Sequence, residues 1–113
     1  MLFVSTRGKT DLMSSAHAIT RGLADDGGLF VPQRIPSMRT SDIKAMANKP
    51  YTERAVDVLL QYLTDFSEEE LRECVNAAYA KDKFGENPVP LVQGNDNTAV
   101  LELWHGPTSA FKD

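Results

Sequence analysis

A single cysteine, Cys74, stands among 113 residues, so no disulfide can close within the chain and a structural zinc site would lack its thiolates. Cys74 falls on an apolar helical stripe with Leu71 and Ala78, which predicts a core filler rather than a reactive thiol. Histidine is nearly as scarce. His17 and His105 are the only two, and His17 has no second ligand four residues on, so no metal site is expected. The twelve Lys and Arg residues are scattered and outnumbered by sixteen Asp and Glu, for a net charge of −4. No basic run could track a phosphate backbone, which excludes nucleic acid as a general partner. No apolar run approaches the ~20 residues that cross a bilayer, and residues 1–4 are too short for the apolar core of a signal peptide. The expectation is therefore a chain with no membrane partner, working in the cytoplasm. Internal repeats and low-complexity tracts are missing as well.

What is present reads as a small globular protein. With 42% hydrophobic and 25% charged residues, the chain has the composition of a folded domain rather than a disordered tail. Ser14 or Ser15 is placed to cap a helix with Ala16, Ile19 and Leu23 on its apolar face and Ala18 at the margin, stopping at Asp25-Asp26-Gly27-Gly28. Residues 2–5 and Leu29-Phe30-Val31 are short β-prone runs. Ser41 or Asp42 starts a brief helix through Ile43 and Met46. The strongest local signal is a helical pair: Ala55, Val56, Leu59, Leu60, Tyr62 and Leu63 form one amphipathic face, and Leu71, Cys74, Val75, Ala78 and Tyr79 form the next. Between them, Ser67-Glu68-Glu69-Glu70 has the spacing of a capping box, flanked by Phe66 and Leu71 as a hydrophobic staple. Lys81 and Lys83 sit where the negative end of the second helix favours cations. The run of three glutamates is thus helix-start chemistry and not an acidic ligand site.

Residues 84–91 carry Gly85, Pro88 and Pro90 and read as a linker. The composition shift divides the chain into residues 1–84, a helix-rich α+β domain with a short sheet, and residues 85–113, a linker followed by a strand, a turn and the start of a helix. Asn95-Asp96-Asn97 predicts a turn before the strand and lacks the later Gly and Glu of a calcium loop. Asp26-Gly27-Gly28 follows a helix and precedes a strand, the reverse of the order that aims backbone amides at a phosphate.

The strand at residues 99–104 runs into His105-Gly106-Pro107-Thr108 and then Ser109-Ala110-Phe111-Lys112-Asp113. A lysine that bonds covalently to a carbonyl cofactor must spend time as the free amine, whereas an ordinary lysine near pKa 10.4 leaves fewer than about one in a thousand unprotonated at pH 7. A helix start, apolar shielding by Phe111 or a nearby cation would favour the free amine at Lys112. The alternative is a solvated surface lysine beside Asp113. Thr108 is placed to cap a helix carrying Lys112. His105 either fixes the turn or touches a ligand, and Arg7, in Thr6-Arg7-Gly8, either meets a phosphate or carboxylate or pairs with an acid.

His105-Gly106-Pro107-Thr108-Ser109-Ala110-Phe111-Lys112-Asp113 closely resembles the cofactor-lysine motif of threonine synthases and their relatives among the fold type II pyridoxal-phosphate enzymes. Phe3-Val4-Ser5-Thr6-Arg7-Gly8 is similar to that family's N-terminal segment, and the run from Gly22 to Pro32 is similar to its Gly-Leu-Ala-x-Asp-Gly-Gly-Leu-Phe-Val-Pro segment. The three motifs occur in family order. Asp25, Trp104 and Ser109 depart from the usual proline, phenylalanine and leucine, which bears on packing and turn rigidity but not on Lys112.

The resemblance implies the N-terminal part of a fold type II enzyme with pyridoxal 5'-phosphate as cofactor. Lys112 is then the catalytic and cofactor-binding residue; Thr6, Arg7, His105 and Thr108 stand beside it, from the reading of the residues themselves, as candidates to contact substrate or shape the site. It implies O-phosphohomoserine as substrate, threonine and phosphate as products, and a phosphate cradle and pyridine-nitrogen partner in the remainder of a catalytic domain beyond residue 113. The 113 residues alone are expected to be inactive. A threonine synthase-like phospholyase and a non-catalytic interaction module are the competing functions. The strand at residues 99–104 is expected either to form an edge with residues 2–5 or to be a self-association surface.

Overall fold

The computed structural model describes residues 1–95 and 97–113; Asp96, in the expected turn at Asn95-Asp96-Asn97, lies outside the described residues. The chain divides into two units, Met1–Arg72 and Glu73–Asp113.

In the first unit, β1 (Phe3–Ser5) pairs antiparallel with β2 (Phe30–Pro32), Val4 opposite Val31. Between them lies α1 (Ser15–Arg21), capped by the Ser14 hydroxyl, which accepts from the His17 amide. The helix ends earlier than its sequence suggests. Gly22, with φ of 75°, terminates it four residues before the Asp-Gly-Gly turn, and Leu23 instead bridges to Leu29. Its buried face also differs from expectation. Ser15 and Ala18 are buried, while Ile19 and Leu23 are 61% and 62% exposed. The reason is helical phase: Ser15 and Ala18 lie three residues apart on one side, which leaves Ile19 on the flank. Next come α2 (Thr40–Met46), which begins one residue before Ser41, and α3 (Tyr51–Tyr62), entered through Pro50. Val56, on the inner face of α3, is 2% exposed.

The capping box forms as its spacing predicts. The Ser67 amide donates to Glu70 Oε2 over 2.8 Å, and the Glu70 amide donates back to Ser67 Oγ over 3.2 Å. These bonds open α4 (Glu68–Ala78), on which Leu71 and Val75 are each 3% exposed. Cys74, expected in the core, is exposed, because the buried stripe of α4 is the narrow i, i+4 pair Leu71 and Val75 and residue 74 falls a hundred degrees to one side.

The second unit opens with residues 73–78 of α4, including Val75, and with α5 (Lys81–Phe84). Lys83 Nζ donates over 2.7 Å to the Ala77 carbonyl, satisfying an acceptor at the end of α4. The Phe84 ring packs on Tyr79 at 5.0 Å between centroids. Part of the segment read as a linker is a strand. β3 (Leu91–Gln93) pairs antiparallel with β4 (Ala99–Leu101), Val92 opposite Val100. The strand at residues 99–104 is therefore shorter than expected, ending at Leu101, and its partner is not residues 2–5, which belong to the other sheet. Pro88 and Pro90 lack the amides a ladder needs and hide the strand that starts immediately after them. The α+β expectation holds, with two two-stranded sheets among the described residues.

Candidate functional site

Two of the motif segments are brought together in the first unit. The Thr6 amide donates to the Leu29 carbonyl over 2.8 Å, and the Leu29 amide returns a 3.0 Å bond to Thr6 Oγ1. Ser5 Oγ donates to Asp26 Oδ1 over 2.6 Å, the Gly28 amide donates to the same oxygen over 2.9 Å, and the Lys9 amide reaches Oδ2 over 3.1 Å. The Asp26 carboxyl is held below the ordinary carboxylate range, chiefly by the Ser5 hydroxyl, with the Gly28 and Lys9 amides and the Arg7 charge adding to it against a desolvation cost. Arg7 Nη1 donates over 2.8 Å to the Asp26 carbonyl. A glycine is required at position 28: a Cβ there would collide with Ser5 Oγ and approach Asp26 Oδ1 and Thr6 Oγ1 to 3.0 Å. Thr6 and Arg7 thus clasp the Asp-Gly-Gly turn. Sequence reasoning treated Asp26 only as a turn former, although an aspartate two residues before an amide it accepts from is a recognisable Asx turn.

A second carboxylate works in a similar way. The Ser15 hydroxyl and, over 2.8 Å, the Ala16 amide donate to the two oxygens of Asp65, which closes the first turn of α1. Burial disfavours its charge, but the bonds from Ser15, Ala16 and Ser14 outweigh that and lower its pKa to about 2.

The third motif lies in the second unit, and its geometry departs from the expected helix start. Ser109 takes a left-handed φ of 57°, and residues 106–112 run as alternating bends and turns. Thr108 does not cap a helix. Its amide and its hydroxyl donate to the two oxygens of Asp113 over 2.7 and 2.5 Å, and these bonds hold the Asp113 carboxyl below its usual range. The clasp encloses residues 109–112 and competes directly with helical bonding of the same groups. Gly106 is buried, and a Cβ there would come within 2.8 Å of the Phe84 ring. Among the described residues His105 makes no backbone bond to fix the turn. Its Nε2 lies 2.6 Å from Glu102 Oε2, a carboxylate that selects the tautomer with the proton on Nε2, and its ring stacks on Trp104 at 5.7 Å. Glu102 was not singled out from sequence; its i, i+3 spacing to His105 was the available signal.

Lys112 is exposed, with Nζ 5.9 Å from the centroid of the Phe111 ring, which is itself 73% exposed. Among the described residues its ammonium has no ion pair, because the neighbouring Asp113 carboxylate is turned to Thr108. That arrangement fits covalent attachment of a carbonyl cofactor, which needs a primary amine uncommitted to an acid. Thr6 and Arg7 belong to one unit, and His105, Thr108 and Lys112 to the other.

Comparison with known proteins gives a consistent result. The family described as threonine synthase N terminus matches residues 2–79. The threonine synthase of Schizosaccharomyces pombe is 39% identical over 98% of this chain, which covers 22% of that protein. The threonine synthase of Pseudomonas aeruginosa is 36% identical over the whole chain, covering 24% of it. Among solved structures, the pyridoxal-phosphate-bound threonine synthase from Brucella melitensis superposes with a TM-score of 0.88 at 39% identity, over 99% of this chain and 24% of that one. The chain therefore spans about a quarter of the length of the proteins it matches.

Proposed function

Because the chain belongs to the threonine synthase family and corresponds to its N-terminal region, we propose that it works as the N-terminal part of a pyridoxal-phosphate enzyme converting O-phosphohomoserine and water to threonine and phosphate. Residues 1–84 serve as the N-terminal domain, and residues 85–113 begin the catalytic domain. Lys112 holds the cofactor, which when bound supplies an electron sink for carbanion chemistry. The Lys112 amine would also serve to take and return protons at the substrate carbons. Thr108 and Asp113 position the lysine by closing the turn that carries it. Glu102 and Trp104 orient His105 at the mouth of the same turn. Thr6 and Arg7 lock the Asp-Gly-Gly turn and, through it, shape the first unit. An enzyme of this chemistry, with one cysteine and no need of an oxidising compartment, is assigned to the cytoplasm.

The observation that supports this reading is the Lys112 amine, left without an acid partner while the adjacent carboxylate is engaged elsewhere. Replacing Lys112 by Ala in the complete enzyme should lower turnover by at least about a thousandfold and remove the absorbance band of protein-bound cofactor, with the circular dichroism unchanged. Near wild-type turnover in that variant would overturn the assignment. The 113 residues alone should show no turnover and bind the cofactor no more tightly than an ordinary exposed lysine does; saturable micromolar binding abolished by Lys112→Ala would contradict this.

A further inference from the structure

Among residues 105–113 only Gly106 is buried. Its φ lies outside the left-handed region, unlike those of Gly8, Gly22, Gly27 and Gly85, so space and not backbone conformation demands a glycine here. The place a Cβ would take is already occupied from two directions: Phe84 Cε1 would lie 2.8 Å from it and Asp113 Oδ2 2.6 Å, with Asp113 Cβ nearer still. The edge of the Phe84 ring and Asp113 therefore meet over the bare Cα of residue 106. Asp113 is the neighbour of Lys112, and its carboxylate is the group that closes on Thr108. The ring is braced in turn. It packs on Tyr79 at 5.0 Å between centroids with 45° between the planes, and it follows Lys83, whose Nζ is tied to the Ala77 carbonyl at the end of α4. A continuous contact thus runs within the second unit from the end of α4 through Tyr79, Phe84 and Gly106 to the residue beside the lysine.

We propose that Phe84 is a positioning residue for Lys112: its ring, seated on Gly106, is the wall against which the Thr108–Asp113 turn folds, and it keeps the Asp113 carboxylate on Thr108 and away from the lysine amine. The proposal rests on the assignment of Lys112 as the lysine that holds the cofactor. Without the wall, the turn would be closed by the two Thr108–Asp113 bonds alone, and both are exposed to water, which competes for the same groups. A carboxylate released from Thr108 stands one residue from an ammonium of opposite charge and is drawn to it. An amine committed to an acid is protonated and cannot attack a carbonyl. Phe84 touches no reacting atom in this account and acts only through the turn. It lies outside the three motif segments, at the start of the segment that reads as a linker, so the motifs alone do not point to it.

Solvent exchange of the Thr108 amide, measured by NMR in the 113-residue chain, tests the brace, with the Leu71 amide of α4 as the reference. Phe84→Leu keeps an apolar group and removes the ring; it should speed exchange at Thr108 at least about fivefold and leave Leu71 within about twofold of the parent. Gly106→Ala drives a methyl into the same space without left-handed strain and should do the same. In the complete enzyme, Phe84→Leu should weaken cofactor binding at least about tenfold, read by equilibrium dialysis. Unchanged exchange at Thr108 would overturn the proposal. So would equal acceleration at Thr108 and Leu71, since the ring would then only support the fold, and so would a selectively loosened turn with cofactor affinity intact. Should Phe84→Leu fail to fold, Gly106→Ala decides by the same criteria. The exchange measurement involves no cofactor: it can fail while Lys112→Ala still abolishes cofactor binding, and succeed while Lys112→Ala leaves binding intact, so failure of the brace and failure of the lysine assignment are told apart.

Discussion

In the first unit the carboxylates of Asp26 and Asp65 each take a serine hydroxyl and backbone amides, and the bonds to Ser5 and Ser15 join residues 21 and 50 positions apart. In the second unit the comparable clasps are short: His105 meets Glu102 three residues away, and Thr108 meets Asp113 five residues away. The apolar groups differ where the strands lie. Val56 and Ala18 are buried in the first unit and Val75 in the second, but both strands of the second unit's β3–β4 hairpin are exposed along their length, with Leu91 at 68% and Leu101 at 52%. A hairpin whose two faces are both open has no core of its own to rest on, and isolated hairpins are marginal in water. Long-range clasps over a small core make a scaffold; local clasps on exposed strands shape a segment with little core beneath its hairpin. The proposed lysine sits on the segment of the second kind.

The sharpest way to break this contrast is to dismantle the long-range clasp. Gly28→Ala would drive a methyl into Ser5 Oγ and separate Ser5 from Asp26, so the first unit should lose about 3 kcal/mol, at the upper end of overpacking costs. Urea melts followed by circular dichroism at 222 nm, which reports chiefly on the helices, check this. A loss below about 1 kcal/mol would mean the clasp is decorative. Val56→Ala should follow at about 2 kcal/mol, since it removes two methyl groups from a site 2% exposed. If that variant melts like the parent, the first unit is not the scaffold described.

The same contrast explains what the amino-acid sequence discloses. Ser14 and the Ser67-x-x-Glu70 spacing announce their helices because capping is local chemistry, complete within four residues. Burial is not local. Ile19, Leu23 and Cys74 sit on plausible apolar faces yet are exposed, since which flank of a helix turns inward depends on partners far away in the chain. The partner of β4 was hidden for another reason: Leu91-Val92 and Ala99-Val100-Leu101 bracket turn-forming residues as a hairpin should, but Pro88 and Pro90 dominate the reading of the segment. Lys112 was legible as a motif. Its surroundings were not, because the Thr108–Asp113 clasp outcompetes the helix that Thr108 would otherwise begin.

Acid should separate the units more gently. The pKa of Asp65 is depressed to about 2 in the folded chain, against about 3.9 for a free aspartate. Its contribution is therefore complete above about pH 4 and is lost as the pH falls through 2, because the unfolded chain takes up the proton first. Asp26, also depressed, adds in the same direction. The first unit should lose stability across that window, and Asp65→Asn should flatten the loss while lowering stability at pH 7. A parent and variant with parallel pH profiles between 2 and 4 would remove Asp65 from the account.

The smallest effect is expected in the second unit, and it sharpens the comparison most directly. Val100 lies opposite Val92 in the hairpin and is 45% exposed in the unaccompanied chain. Val100→Thr keeps the branched shape that suits a strand and exchanges one methyl for a hydroxyl that solvent can reach. In the 113-residue chain the change should therefore cost less than about 0.5 kcal/mol, the range of ordinary surface substitutions. Trp104 is the only tryptophan and lies three residues beyond β4, so its fluorescence follows this unit while circular dichroism follows the helices. Should Val100→Thr shift the Trp104 transition as far as Val56→Ala shifts the helical one, the hairpin would possess a core of its own, and the distinction between a self-supporting scaffold and a segment with little core beneath its hairpin would fall.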